Sequence, residues 1–431
     1  MRRIPEIELQ SKGDIRRFQE EKLKQTLQYV SAYSPFYKTL FKESGVLPDS
    51  ILTIEDLAKL PVTTKDDLQR QNWDFLCVAK TDIVEYTSTS GTLGKPVTVA
   101  LTEGDLQRLA YNESISFACA DGNENDLYQL MLTLDRQFMA GIAYYEGIRK
   151  LGAGLIRVGP GLPALQWETI ERLEPTVLVA VPSFIIKLIE FAEQKGIDLN
   201  KSSVKKAVCI GESLRNDDLK LNALGRKIES AWNIHLYSTY ASTEMQTAFT
   251  ECTQGIGGHH HPELIIVELL DENNKVLSNG AAGEVTITTL GVEGMPLIRY
   301  KTGDIVRGYD TPCACGRNTL RLGPVVGRQQ QMIKLKGTTM YPQGVFDILN
   351  QFQEIRDYVV EAYTGELGTD ELRVHVHVEG NQNSIEGLLK SAFQSRVRVI
   401  PFFEFVTPDQ IESLQLDGKS RKVRKFLDHR K

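Results

Sequence analysis

Residues Tyr86–Val99 read YTSTSGTLGKPVTV. Glycines at 91 and 94 alternate with the hydroxyls of Thr87, Ser88, Thr89, Ser90 and Thr92, and Lys95 and Pro96 follow. Bare amides, hydroxyls and one ammonium are what a nucleotide triphosphate needs around its oxygens. Gly91 and Gly94 allow a tight path and let the backbone come close to those oxygens. The same composition also builds ordinary turns. The spacing GxxxxGK[ST] is absent, so a Walker A loop is excluded.

Outward from this stretch, the chain has 431 residues, 41% of them hydrophobic, which is long enough for more than one domain. The net charge of −6 and the pI near 5.8 give no general pull toward nucleic acid or anionic lipid. No apolar stretch is long enough to span a bilayer, and the N-terminal MRRIPEIELQSKGDI lacks the apolar run of a signal peptide. Six cysteines in a chain of this length do not describe a disulfide scaffold, so a reducing, cytoplasmic setting is expected.

Helical spacing marks 13–45, interrupted at Ser34-Pro35, and Thr64 stands where a helix cap belongs. Strand-like runs at 127–134, between the glycine turns of GAGLIRVGPG (152–161), and at 175–181, 206–210 and 236–240 alternate with helical stretches at 102–118, 136–149, 182–194 and 217–232. That alternation predicts a layered α/β domain with mixed or parallel strands, whose ligands sit beyond the carboxyl ends of the strands. Residues 262–326 read as a β-rich subdomain with strands at 264–270, 283–289 and 297–300. From 329 to 431 the pattern is that of a smaller α+β domain, with helices at 345–349 and 384–394 and strands at 358–364, 372–378 and 402–406. The expected organisation is a domain over 1–328 and a second, mobile one over 329–431.

Three further motifs carry chemistry. In Tyr240-Ala241-Ser242-Thr243-Glu244 a ring able to stack on a purine precedes a carboxylate able to hold Mg²⁺. In RYKTGD, Asp304 follows a strand and a glycine turn, where a carboxylate can accept two hydrogen bonds from ribose hydroxyls. In LDGKSR, Lys419 sits on a glycine-flanked loop from which an ammonium can reach a phosphate. Each also has a plainer reading as a strand end, a β-turn or a solvated lysine.

Taken in order, these motifs resemble those of adenylate-forming enzymes, and more narrowly of the phenylacetate–coenzyme A ligases, over 36–424. The resemblance implies the adenylate-forming fold and an ATP-dependent acid–coenzyme A ligase with Mg²⁺, acting on an aryl or arylalkyl acid. It makes Ser88, Thr89, Ser90, Gly91, Thr92, Gly94 and Lys95 the phosphate loop. It sets Gly211-Glu212-Ser213 against the base, Tyr240 beside adenine, Glu244 on magnesium and Asp304 on the ribose. Arg328 becomes a ribose or phosphate contact. Lys334 and Gly337 are counted among the cofactor-binding residues, Gly337 close to the thiol channel. Lys419, Glu244 and Thr89 are counted as catalytic, with Lys419 withdrawn when the small domain turns.

The chain departs from this pattern twice. Relatives carry GR-x-DD at the interdomain hinge, whereas here Gly327-Arg328-Gln329-Gln330-Gln331 puts an amide at the aspartate position. Leu134-Asp135-Arg136-Gln137-Phe138 replaces a glycine-rich, aromatic stretch, and Arg136 offers a cation to a more polar acid.

Cys252, His259, Cys313 and Cys315 form a separate constellation, with TPCACGR holding the last two. Three thiols and an imidazole make a closed structural zinc site, and some relatives look alike at these positions. His260 and His261 are alternative imidazoles. Cys77, Cys119 and Cys209 read as core residues, and His375 and His377, alternating in a strand, as a solvent-facing pair.

The expected partners are therefore a small carboxylic acid, ATP and coenzyme A, with a homodimer allowed for and neither nucleic acid nor membrane. The rival readings are an adenylating enzyme with an amine or carrier-protein acceptor, and a non-catalytic nucleotide-binding regulator. Nucleic-acid binding through the metal site and the tail RKVRKFLDHRK is disfavoured by the acidic balance.

Overall fold

Val177–Ala180 and Lys206–Cys209 are buried at every position, which is why they read as continuous apolar runs and not as alternating ones. In the computed structural model, which describes residues 4–89, 97–328, 331–335, 338–365, 370–380, 382–416 and 423–430, they are the centre of a large sheet. The chain divides into two compact units. The first holds most of residues 4–325; the second holds Val326 onward together with Gly303–Ile305.

Five strands of the first unit run parallel in the spatial order Gly154–Arg157, Leu127–Leu130, Val177–Ala180, Lys206–Cys209, His235–Ser242. Numbered along the chain this is the order 2-1-3-4-5 of doubly wound sheets, with the reversal between Leu127–Leu130 and Val177–Ala180. Alternate residues face two layers. Leu178, Ala180, Ala207 and Cys209 pack with Trp167, Ile185, Leu188 and Trp232 from the helices Pro163–Leu173 and Pro182–Lys195 and the residues after Ala223–Ala231. Val177, Val179 and Val208 pack with Phe117, Tyr144 and Ile148 from Glu103–Cys119 and Met139–Leu151. Lys206, buried within its strand, is neutralised by Asp126 at 2.8 Å.

The sheet continues antiparallel from His235–Ser242 through Thr247–Glu251, Gly258–His259, Arg321–Leu322, Tyr300–Tyr309, Ala282–Thr289 and Ile265–Leu270. The strand expected at 297–300 instead begins at Tyr300 and runs to Tyr309. The helix expected from 217 starts only at Ala223. Leu219 has a left-handed backbone (φ 65°), Arg215 bridges Leu221, and Asn222 caps the amide of Gly225. Thr64 caps its helix as read, and Thr102 caps Glu103–Cys119, each in a reciprocal box with an aspartate three residues on.

The second unit has a four-stranded mixed sheet in the order Phe402–Phe405, Asp370–Val378, Ile355–Thr364, Phe426–Asp428. Tyr358, Val360, Leu372, Val374 and Val376 form its core with Val345 and Ile348 of Pro342–Leu349 and Leu389 and Phe393 of Gln382–Val397. His375 corrects the solvent-facing expectation: it is buried, because Glu361 on the neighbouring strand takes its Nε2 at 2.7 Å while also accepting the Tyr363 hydroxyl at 2.6 Å. No helix among the described residues is long and apolar enough to cross a membrane.

Candidate active site and metal centre

The glycine-rich stretch hangs from an antiparallel pair, Glu85–Ser88 with Thr98–Leu101. Thr89 closes that pair from inside: its amide donates to Val97 O at 3.0 Å and its buried hydroxyl accepts from Val97 N at 3.2 Å. Ser90, Gly91, Thr92, Gly94 and Lys95 lie outside the described residues. Asn72 braces the outer strand through two bonds to the Thr98 backbone, at 2.8 and 3.0 Å.

Three turns leave the carboxyl ends of parallel strands, and the last two of those strands are adjacent. After Leu127–Leu130 comes the Leu134–Phe138 turn, where Arg136 and Gln137 are both left-handed (φ 57° and 58°), a conformation costly for residues with a Cβ. The Gln137 carbonyl accepts the Ser88 amide at 2.9 Å, which fixes this turn beside the base of the phosphate-loop pair. Leu134, Phe138 and Val181 are half-buried on the apolar cluster beneath. The Arg136 side chain is 70% exposed.

After Lys206–Cys209 comes Gly211-Glu212-Ser213. Gly211 takes φ 74° and stays exposed, with Val181 as its neighbour in the place a Cβ would meet. Glu212 accepts from the amide and the hydroxyl of Ser183, at 2.8 Å each, and so caps the helix Pro182–Lys195. Arg215 continues this turn and pairs with the buried Glu251 at 2.6 Å.

After His235–Ser242 comes the turn that carries Glu244. Tyr240 stacks on Phe249 of the paired strand, centroids 5.9 Å apart, and Ala241 pairs with Ala248. Ser242 Oγ accepts from Met245 N at 3.3 Å, leaving Thr243 and the half-buried Glu244 at the tip. Arg108 holds the far side of the turn: buried, it donates to Gln246 O, Leu264 O, Leu290 O and Thr247 Oγ1. The motif reading missed it, since nothing in its local sequence separates it from an exposed helical arginine.

In the second unit, Asp304 pairs in register with Arg328, and the guanidinium Nε reaches its carboxylate at 3.1 Å. Gly327 is required there, because the Tyr341 ring occupies the space a Cβ would take. Lys334 belongs to the strand Ile333–Leu335. Gln329, Gln330, Gly337 and Lys419 lie outside the described residues.

The four candidate metal ligands converge, with all ligand atoms within 4.8 Å of one another. Cys252 Sγ and Cys313 Sγ are 3.7 Å apart, and Cys315 Sγ and His259 Nε2 are 3.5 Å apart. A tetrahedral zinc with ordinary bond lengths has edges of about 3.8 Å between sulfurs and about 3.6 Å between sulfur and nitrogen. The donor set therefore fits. His259 Nδ1 is engaged by Thr319 Oγ1 at 3.1 Å, which leaves Nε2 for a ligand. The other imidazoles are otherwise occupied: His260 Nε2 lies 2.5 Å from Ile265 O, and His261 contacts Glu8 and Ser116. The Cys315 thiol is pushed down by its neighbour Cys252, against burial and with help from His259 and Arg317. Cys77, Cys119 and Cys209 are buried as read, and Cys119 directs its thiol to Thr250 O.

A family model described as AMP-binding enzyme matches residues 33–294, well over half of the sequence and all three of these turns. The chain belongs to the AMP-binding enzyme family. It is similar to the phenylacetate–coenzyme A ligase of Thermus thermophilus, 29% identical over 380 residues that cover 86% of this chain and 84% of that one. The phenylacetate–coenzyme A ligase of Escherichia coli K12 is 28% identical over 364 residues, covering 82% and 80%. Among solved structures, a 2-hydroxyisobutyryl-CoA ligase in its postadenylation state, in complex with R3-HIB-AMP, superposes with a TM-score of 0.86. That match is 22% identical, covers 98% of this chain and 91% of the other, and speaks to the fold. The adenylate-forming fold is thus established, and family and relatives class this AMP-binding enzyme with the AMP-forming carboxylate–CoA ligases.

Proposed function

We propose that the protein activates an aryl or arylalkyl carboxylic acid with ATP and passes the acyl group to coenzyme A. One observation carries the reading: the turns bearing Gly211–Ser213 and Glu244 leave adjacent strands of a 2-1-3-4-5 sheet on the side where such sheets bind ligands, and the turn before them is tied to Ser88. An acid oxygen attacks the α-phosphorus and pyrophosphate leaves, giving an acyl-adenylate. The thiol then attacks the acyl carbon, and AMP departs as the thioester forms. Amides and hydroxyls of the 88–95 loop, with Lys95 and Lys419, would neutralise the phosphoryl oxygens. Tyr240 would stack on the base, Asp304 would hold the ribose with Arg328 at its carboxylate, and Lys334 and Gly337 would border the thiol path.

Glu244 would hold Mg²⁺, which would draw charge from the phosphate oxygens. Cys252, His259, Cys313 and Cys315 would hold a structural zinc, a closed set with no position for a substrate.

The apolar half-buried Leu134, Phe138 and Val181 favour an acid with an apolar body, as in the phenylacetate ligases the chain resembles. Arg136, exposed on the turn tied to Ser88, would meet a polar substituent on that acid. The test is AMP release over a panel of aryl, arylalkyl, aliphatic and amino acids, with and without coenzyme A. Rapid AMP release with an arylalkyl acid only when coenzyme A is present supports the reading. Release that needs an amine or a carrier protein instead rejects the acceptor, and a preference for short aliphatic acids rejects the acid class.

A further inference from the structure

Glu8 lies in a four-residue helix, Glu6–Leu9, yet its side chain is completely buried. A carboxylate in that position needs partners, and it has two. Arg317 Nε donates to Oε2 at 2.6 Å, and His261 Nδ1 lies 2.5 Å from Oε1. The main chain joins in: Asn318 N donates to Glu8 O at 2.8 Å, and Asn318 Nδ2 donates to Leu9 O and Gln10 O. The segment around Glu8 is thus docked on residues 317–318, immediately after the Cys-x-Cys pair.

Arg317 is also joined to the metal centre. It is 3% exposed, its Nη1 lies 3.6 Å from Cys315 Sγ, and its carbonyl accepts the Cys313 amide at 3.0 Å. Zinc bound by three thiolates and one imidazole carries one net negative charge, and a buried guanidinium against a thiolate offsets it. A group that orients and charge-balances a ligand typically changes metal affinity by about 10–100-fold.

We infer that Arg317 is a positioning residue for the Cys315 thiolate, oriented by Glu8, so that metal occupancy and docking of residues 5–10 stabilise each other. The inference rests on the zinc reading above. Because binding linkage is reciprocal, whatever factor the metal contributes to docking, docking contributes to metal affinity.

The full-length, zinc-loaded protein tests this in two ways. Competition with a chelator should show zinc bound about 10–100-fold more weakly by Glu8→Gln and Arg317→Met, with Arg317→Lys between them and the native protein. In the cobalt-loaded protein, Arg317→Met should shift the thiolate-to-metal absorption band, which loss of packing alone would leave in place. Hydrogen exchange needs no substitution and so survives a variant that does not fold: removing the metal should speed exchange of the amides of residues 6–10 at least tenfold relative to the helix Pro182–Lys195. Unchanged zinc affinity in both variants, or unchanged protection of 6–10 without metal, overturns the coupling and leaves the zinc site standing. A native protein that binds no zinc overturns both.

Discussion

The carboxylate of Glu212 and the backbone amide of Ser183 lie 2.8 Å apart, so a residue at the end of one strand caps the helix that leaves the next. The Gly211–Ser213 turn is therefore held from below by the positive end of Pro182–Lys195, and Glu212 has a structural duty. Glu212→Ala should lower stability by about 1 kcal/mol in denaturant unfolding, in line with other lost helix caps. Glu212→Gln, which keeps an acceptor, should lose less than half of that.

Glu113 offers a pH-dependent test of the helical layer. It is buried between Glu103–Cys119 and the close-packed Gly147 of Met139–Leu151, and burial raises its pKa from 4.5 to about 8 against the hydrogen bond from Asn112. Between those values the folded protein holds a proton that the unfolded chain has lost. Stability from this group thus falls as pH rises through the window and is level above about 8. Glu113→Gln should gain on the native protein by roughly 1.4 kcal/mol per pH unit at the steepest. Parallel stability curves for the two proteins from pH 5 to 8 would contradict this.

Much of this arrangement was legible in the residues. Val177–Ala180 and Lys206–Cys209 announce themselves as buried strands because they are largely apolar on both faces, and Thr64 announces a helix start. The Cys₃His set was legible from thiol spacing, and its geometry then selected His259 over its two neighbours. What escaped were contacts across long stretches of chain. Glu8 meets His261 and Arg317 from some 250 and 310 positions away, and His375 is buried only because Glu361 stands beside it. Arg317 had a local signal that went unread, an arginine two residues beyond a thiol ligand. The short helix at Ala223 was overextended because charged, helix-favouring residues before it give no sign of the left-handed Leu219.

Zinc content provides a third prediction. The native protein should carry about one equivalent, and Cys313→Ser should lose it, since removing one of four ligands opens a closed site. ATP binding by the variant should weaken less than metal binding, because none of the proposed nucleotide contacts is a zinc ligand. A folded Cys313→Ser that retains full zinc would contradict the ligand set.

Lys419→Ala should slow formation of the acyl-adenylate by about 10²–10³-fold, the usual loss when one donor to a developing charge is removed. Transfer of a supplied acyl-adenylate to coenzyme A should change far less. Equal losses in the two half-reactions would remove Lys419 from the phosphate chemistry.

Acid-dependent exchange of labelled pyrophosphate into ATP bears most directly on the whole account, since it reports attack of a carboxylate on the α-phosphorus and needs no acyl acceptor. Zinc-loaded protein with Mg²⁺ and a panel of carboxylic acids should exchange label with at least one arylalkyl acid, and Glu244→Gln should reduce the rate by two orders of magnitude or more, about 3 kcal/mol of transition-state stabilisation. Well-folded protein that exchanges no label with any acid on the panel would contradict adenylation as the reaction.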